Sequence, residues 1–303
     1  MKPRLPPALK PGARIGVVAP AGPIRGDLLR AGLAYLTRRG YRVVRGPHLQ
    51  ARHGYLAGTD AQRAADLNRA MADPSLDAIV FARGGYGCAR IVERLDFSPL
   101  RKKAKIFLGY SDLTAFYAAL DRATGIPGFY GPMVLNFNGA GKEFRERSLW
   151  SVLQRSAGWN RFGLPARGVL RAGSARGKLV GGCLSVLVSL VGTPYDIDTR
   201  GRILFWEEVD ELPYRIDRML NHLRLAGKFK GLRGMVVGRL HRCDAARGTP
   251  ALTLREMLRD HLRGTDFPVV LDFPAGHAPG KVTLPLGLPA RLSTRDRTLE
   301  ILA

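Results

Sequence analysis

A serine stands where a short apolar strand passes into a helical pattern. Ser111 lies in the segment LGYSDLT, after the run IFLG at residues 106–109 and before a helix that continues through Phe116 and Leu120. At such a turn the serine hydroxyl projects beyond the carboxyl end of the sheet, and the first N–H groups of the helix can stabilise an oxyanion. The position suits a nucleophile. Serine is also a preferred helix N-cap, and the local pattern alone favours the cap. The second glycine of a GxSxG elbow is missing, which argues against an α/β-hydrolase.

A glycine-rich loop follows the preceding strand. The segment RGGYG begins at Arg83, after the apolar run AIVFA, and opens another helical pattern. It lacks the spacing of the GxGxxG and GxxxxGK[ST] phosphate loops. Ligands of open α/β sheets bind at the carboxyl ends of the strands, so the backbone N–H of Gly85 is a candidate oxyanion donor. A tight turn alone would explain the glycines equally well.

An acidic cluster follows a strand in the second half of the chain. Glu207 ends the apolar run ILFW, and Glu208, Asp210 and Glu211 come directly after it. A carboxylate at a strand end suits the task of orienting a histidine. Several of these acids should instead be solvated or pair with nearby arginines, so the local sequence does not single out Glu207.

One histidine has surroundings typical of an active site. His277 lies in the loop FPAGHAPG, among small and kinked residues after a strand. A general base needs an imidazole that exchanges its proton near neutral pH, and His277 suits this role best. The other histidines lie in polar or helical surroundings: His48, His53, His222, His241 and His261.

The order of strands and helices predicts two domains. Strands and helical patterns alternate through about residue 150, which indicates a mostly parallel sheet covered by helices. The irregular stretch 151–177, rich in Arg, Gly and Ser, is expected to be an interdomain crossing. Residues 178–303 predict a smaller domain of mixed strands and helices that ends in a hairpin-like tail. The nucleophile candidate thus falls in domain 1–150, and the acid and histidine candidates fall in domain 178–303.

Composition and charge narrow the functional classes. The chain of 303 residues has 48 Lys and Arg against 25 Asp and Glu, a net charge of +23. Such a positive field attracts polyanions, but the basic residues are spread along the chain, which argues against specific nucleic-acid binding.

The sequence shows neither an export signal nor a membrane-length apolar run, so the cytoplasm is the expected location. Three cysteines without CxxC spacing suggest neither disulfides nor a zinc site.

The motifs taken together resemble the LD-carboxypeptidases, the muramoyl-tetrapeptide carboxypeptidase family of serine peptidases. The resemblance spans nearly the whole chain, and the order and spacing of its segments are specific. These segments are VVAPAGPI, FARGGYGCARI, GYSDLTAFY, GFYGPM, GKLVGGCLSVL, GTPYDID, LFWEEVDELPYRIDRML and GHAPGKVTLPLG.

This resemblance implies a Ser-Glu-His triad of Ser111, Glu207 and His277. It also implies a flavodoxin-like N-terminal domain, which carries the serine, and a smaller β-rich C-terminal domain, which carries the other two residues. In the expected mechanism His277 activates Ser111, Glu207 orients His277, and the N–H groups of Gly85 and Asp112 hold the oxyanion. One departure is the segment Trp206-Glu207-Glu208, since the family more often has an aliphatic residue followed by Glu and Asp.

The implied substrate is the murein tetrapeptide, cleaved before its terminal D-Ala during cell-wall recycling. Arg83 is a candidate for binding substrate carboxylates, with a structural pairing as its alternative. No metal, organic cofactor, specific nucleic acid or membrane is expected as a partner, and a homodimer is left open. Two rival functions remain: a related amidase that hydrolyses a peptidyl-nucleotide antibiotic, and a non-catalytic protein that binds polyanions.

Overall fold

The computed structural model describes residues 2–138, 143–246 and 248–303. The chain divides into two compact units, one of Met1–Trp159 with Pro279–Gly287 and one of Asn160–Ala278 with Leu288–Ala303. The stretch 151–177, expected as a crossing, instead contains the end of a helix and the first strands of the second unit. Residues 279–287 belong to the first unit, which also differs from the expected boundaries. The strand in this segment has three residues, too few to show an alternating pattern of apolar and polar residues in the sequence.

Strands and helices of the described residues are numbered along the chain. The strands are β1 (Arg14–Val18), β2 (Arg42–Arg45), β3 (Ala78–Phe81), β4 (Ile106–Gly109), β5 (Gly128–Tyr130), β6 (Arg161–Gly163), β7 (Val169–Arg171), β8 (Ser174–Cys183), β9 (Ile203–Glu207), β10 (Gly234–Gly238), β11 (Val269–Phe273), β12 (Leu284–Leu286), β13 (Pro289–Ser293) and β14 (Thr298–Ile301). The helices are α1 (Gly26–Arg38), α2 (Asp60–Ala72), α3 (Cys88–Ile91), α4 (Leu113–Thr124), α5 (Glu146–Gln154), α6 (Leu184–Leu190), α7 (Pro213–Leu225) and α8 (Leu254–His261).

The first unit is built on a flavodoxin-like sheet. Its described strands run in the order β12-β5-β4-β3-β1-β2. Strands β1 to β5 are parallel, and β12 pairs antiparallel with β5 at one edge. The order 2-1-3-4-5 is that of flavodoxin-like folds, whose ligands bind beyond the carboxyl ends of the strands. The predicted fold class is confirmed, and the loops after β1, β3 and β4 emerge at this edge.

Local sequence signals explain where the helices of this unit begin. Thr59 is the N-cap of α2, and its hydroxyl accepts a hydrogen bond from the N–H of Gln62 at 3.2 Å. The Gln62 side chain in turn accepts from the N–H of Thr59 at 2.9 Å, which completes a capping box. This cap fixes the start of α2 directly after the loop that contains Tyr55.

The second unit contains a mixed sheet. Its described strands run in the order β6-β14-β13-β8-β9-β10-β11-β7. Strands β8 to β11 are parallel, whereas the strands on both flanks pair antiparallel. Buried apolar side chains from the sheet and from helices α6, α7 and α8 form one core, which includes Trp206, Ile216, Leu220 and Leu258. The sheet carries Glu207 as the last residue of β9.

A buried lysine joins α2 to β4 in the first unit. Lys105 precedes β4 and is almost fully buried. Its Nζ donates a hydrogen bond to the carbonyl of Ala70 at 2.8 Å and another to the carbonyl of Asp73, at the end of α2. Cations favour the carbonyl end of a helix, but burial penalises the charged form and lowers the pKa of Lys105 from 10.5 to about 8.

We expect this lysine to make stability depend on alkaline pH. Below pH 8 both the folded and the unfolded chain hold the proton, and the cost of burying the charge is fully present. Between about pH 8 and 10.5 the unfolded chain binds more protons, so the free energy of unfolding should rise with pH relative to Lys105→Met. Urea unfolding from pH 7 to 10 measures this difference. The exposed-lysine control Lys230→Met should follow wild type, and a difference between wild type and Lys105→Met that stays constant with pH would contradict the expectation.

Candidate active site

A buried carboxylate holds the histidine that was singled out in the sequence. The side chain of Glu207 has 0% exposure, and that of His277 has 14%. Glu207 Oε2 lies 2.7 Å from His277 Nδ1 and accepts the backbone N–H of His277 at 2.9 Å. The strand β9 and the loop after β11 thus bring together two residues that are 70 positions apart.

This contact defines the state of the imidazole. A carboxylate only accepts hydrogen bonds, so the 2.7 Å contact assigns the proton to Nδ1, which donates to Glu207. In the neutral ring the lone pair then lies on Nε2. A histidine with a fixed tautomer and a lone pair on Nε2 is suited to act as a general base.

Two glycines provide the space for the Glu207 side chain. A Cβ on Gly276 would lie 2.4 Å from Glu207 Oε2, and Gly276 has φ +112°. A Cβ on Gly238, in the neighbouring strand β10, would lie 2.6 Å from Glu207 Cβ. Both distances are far below van der Waals contact, so side chains at these positions would displace the carboxylate.

The other acids of the cluster have separate structural partners. Glu208 is buried, and its carboxylate accepts from the N–H of Ser185 at 2.7 Å and from that of Val209 at 2.9 Å. Burial raises the pKa of Glu208, while these hydrogen bonds oppose the increase. Asp210 pairs with Arg242 at 2.6 Å, and Glu211 lies 3.5 Å from Arg215. Glu207 is therefore the acid of this cluster that meets the histidine, a choice the sequence left open.

Ser111 occupies a strained turn between β4 and α4. Its φ is +67°, in the left-handed region that side chains other than glycine avoid, at a cost of about 1–2 kcal/mol. Its N–H donates to Tyr130 Oη at 3.1 Å, and its carbonyl accepts the N–H of Thr114 at 2.9 Å. Strain of this kind clusters at functional sites.

The structure corrects the interpretation of Ser111 as a helix cap. Helix α4 begins at Leu113 and Asp112 occupies the cap position, so Ser111 lies one residue too early. The positive φ of Ser111 adds an extra residue to the turn, which local sequence could not reveal. The nucleophile role of this serine stays a prediction.

The glycine loop after β3 contacts the serine turn. A Cβ on Gly84 would lie 3.0 Å from Ser111 Cβ, so only a glycine fits there without displacement. The carbonyl of Gly84 accepts the N–H of Gly22 at 3.0 Å, which joins the loop after β1 to the same cluster. Gly85 is exposed and has φ +110°. The structure therefore places the candidate oxyanion residue Gly85 one residue from a glycine that touches Ser111.

Asp112 and Arg83 have structural partners within the first unit. The Asp112 carboxylate is buried and accepts the N–H of Cys88 at 2.8 Å, which ties the glycine loop to the serine turn. Burial raises the pKa of this carboxyl. Arg83 Nη1 donates to the carbonyl of Pro23 at 3.2 Å, so the structural pairing considered for it is present.

Two residues that sequence reasoning missed help to fix these loops. Tyr130 binds the backbone of Ser111, and its position in GFYGPM was the only available signal. Arg63 is buried and donates to the carbonyls of Pro20, Gly58 and Gly87, the last at 2.8 Å. No local signal marked Arg63, because an arginine in an amphipathic helix is usually solvated.

The fold and the two clusters define a class of two-unit α/β proteins with groups suited to acyl-transfer chemistry. The first unit contains a serine in a strained conformation beside a glycine-rich loop, and the second contains a buried Glu-His pair.

Comparison with known families supports the same class of protein. Residues 15–131 match the LD-carboxypeptidase N-terminal domain, and residues 176–292 match its C-terminal domain.

Known proteins resemble the chain over nearly its full length. A probable murein peptide carboxypeptidase of Bacillus subtilis (strain 168) is 38% identical over 298 residues, 98% of this chain and 93% of the relative. The crystal structure of a muramoyltetrapeptide carboxypeptidase from Oxalobacter formigenes is 30% identical, with a TM-score of 0.84 over 95% of this chain and 98% of that one. The chain therefore belongs to the LD-carboxypeptidase family, a family of peptidases, and the resemblance seen in its motifs is confirmed.

A third similarity concerns the fold. The microcin C7 self-immunity protein MccF, known from Escherichia coli, has a structure with a TM-score of 0.91 over 99% of this chain and 98% of that chain, at 24% identity. This match supports the two-unit α/β architecture. Among the described residues, no helix is long and apolar enough to cross a membrane.

The space around Glu207 yields a testable expectation. Gly276→Ala should lower carboxypeptidase kcat by about 100-fold, because the new methyl group displaces the carboxylate that orients His277. Gly280→Ala is the matched control: this glycine lies in the same loop at φ +73°, and a Cβ there meets no atom within 4 Å. Steady-state kinetics and thermal unfolding of both variants separate misplacement from unfolding. Equal losses of kcat in the two variants would show that backbone strain, not the collision with Glu207, controls activity.

Proposed function

We propose that the chain is a serine carboxypeptidase that removes the terminal D-Ala from murein tetrapeptides. The observation that carries the proposal is the pairing of His277 with the fully buried Glu207, which prepares the imidazole to act as a base. Membership of the LD-carboxypeptidase family supports the reaction class. The names of the B. subtilis and O. formigenes relatives support a murein peptide as the substrate.

In the proposed mechanism the serine hydroxyl attacks the carbonyl carbon of the third residue. His277 Nε2 takes the proton from Ser111 Oγ, and Glu207 stabilises the imidazolium that forms. The N–H groups of Gly85 and Asp112 hold the developing oxyanion. Asp112 lies at the start of helix α4, where the helical hydrogen-bond ladder leaves N–H groups unused.

Collapse of the tetrahedral intermediate completes the first half of the reaction. The C–N bond breaks, and the imidazolium donates its proton to the leaving amine of D-Ala. An ester then joins the tripeptide to Ser111 Oγ. Water, deprotonated by the same imidazole, hydrolyses the ester and regenerates the serine.

The charge of the protein fits an anionic substrate. A murein tetrapeptide carries carboxylates, and the net charge of +23 raises the local concentration of such anions. Arg83 remains our candidate for contact with a substrate carboxylate, through the guanidinium nitrogens that do not bind Pro23. We place the reaction in the cytoplasm, in the recycling of cell-wall peptides.

A second candidate function is the hydrolysis of a peptidyl-nucleotide. The observation that favours it is the similarity in fold to MccF, whose structure is known in complex with aspartyl sulfamoyl adenosine. The two functions are discriminated by measuring whether the purified chain releases aspartate from that compound or D-Ala from the tetrapeptide.

Strong salt-dependent DNA binding without any hydrolysis would instead support a polyanion-binding protein.

Substitution of the proposed triad should abolish D-Ala release with limited effect on folding. We expect kcat to fall by about 10⁴-fold or more in Ser111→Ala and His277→Ala, and by about 10³–10⁴-fold in Glu207→Gln, which loses the charge that stabilises the imidazolium. The matched controls Glu211→Gln and His222→Ala alter an acid and an exposed histidine outside the triad, and both should retain wild-type kcat. Chromatographic detection of D-Ala measures the rates. Undiminished turnover by Ser111→Ala would refute the mechanism.

A further inference from the structure

Two exposed tyrosines form a pair on the surface of the first unit. Tyr55 is 69% exposed and Tyr86 is 51% exposed, and their ring centroids lie 5.9 Å apart at an interplanar angle of 55°. Among the described residues of this unit, they are the large hydrophobic side chains that remain exposed. A single exposed ring needs no explanation, but two in contact form a small apolar patch of the kind that marks binding sites.

The pair lies beside the serine turn. Tyr86 is two residues after Gly84, whose Cβ position would touch Ser111, so the Cα atoms of Gly84 and Tyr86 are at most about 7 Å apart. In a tetrapeptide that loses its last residue, three residues precede the scissile bond and span about 10 Å when extended. A peptide of this length is therefore long enough to place the group that precedes it on the Tyr55–Tyr86 pair.

A buried arginine fixes both loops that carry the tyrosines. Arg63 Nε donates to the carbonyl of Gly58 at 3.4 Å, and Nη1 donates to that of Gly87 at 2.8 Å. Asp60 accepts from Arg63 and forms a two-point contact with Arg90 at 3.0 and 2.8 Å. The exposed rings therefore stand on anchored loops, and a preorganised surface binds its ligand at a lower cost in entropy.

We propose that Tyr55 and Tyr86 form a platform for the muramoyl sugar ring of the substrate. A pyranose ring has an apolar C–H face and a rim of hydroxyl groups, which matches the apolar ring and polar hydroxyl of tyrosine. This inference rests on the proposed function and extends it: it assigns a binding surface on this chain to the sugar that a muramoyl tetrapeptide carries. A nucleobase could also stack on tyrosine, so the test includes a nucleotide.

The experiment compares two substrates that share one peptide. The value of kcat/KM for D-Ala release is measured for N-acetylmuramoyl tetrapeptide and for the free tetrapeptide. We expect wild type to favour the sugar-bearing substrate by about 10-fold, and Tyr55→Ala and Tyr86→Ala each to lower this ratio by roughly 3- to 10-fold. Tyr86→Phe, which keeps the ring, should retain most of the preference. The control Tyr214→Ala removes a tyrosine that is 60% exposed in the second unit and should keep the wild-type ratio.

Binding separates this inference from the proposed function. Calorimetry with the Ser111→Ala variant measures the affinity for both compounds without turnover, and the same tyrosine substitutions should weaken only the sugar-dependent part. If neither compound is hydrolysed, the proposed function fails, while the binding arm still tests the platform. Equal affinities for the two compounds, or a ratio unchanged by both tyrosine substitutions, overturn the platform. Tyrosine-dependent inhibition by AMP without any preference for the sugar also overturns it, in favour of a nucleobase site.

Discussion

The arrangement of the second unit depends on one fully buried carboxylate. An unpaired carboxylate without solvent would destabilise the fold by several kcal/mol, and His277 supplies two N–H donors to Glu207 at 2.7 and 2.9 Å. This requirement explains why glycines surround the side chain, since a Cβ at Gly238 or Gly276 would occupy its space. The same hydrogen bonds fix the imidazole tautomer, so one contact satisfies the needs of folding and of acid–base chemistry.

The first unit holds a serine in an unfavourable backbone conformation. The left-handed Ser111 is fixed by hydrogen bonds to its own N–H and carbonyl. Around it, the Asp112 carboxylate and the Arg63 guanidinium connect the loops that follow β1, β3 and β4. The loops are therefore rigid where a reacting group would need positioning, and the exposed tyrosines share that rigidity.

Sequence reasoning succeeded where the signals were local and failed where they were not. The strand IFLG was located correctly, because a buried apolar run is encoded within a few residues. Local patterns could not choose Glu207 among four acids, since its partner is 70 residues away; family resemblance identified it. The cap interpretation of Ser111 was wrong because a single positive φ moved the helix start to Leu113. The buried Arg63 gave no local signal at all.

The central claim is that Ser111 is a nucleophile activated by the Glu207–His277 pair, and covalent labelling tests it most directly. The purified chain is treated with a serine-reactive fluorophosphonate, and the modified residue is located by peptide mass spectrometry. The account predicts one label per chain, on Ser111, formed in step with loss of carboxypeptidase activity and greatly slowed in His277→Ala. Loss of activity with the label on another residue, or labelling of Ser111 at the same rate without His277, would contradict it.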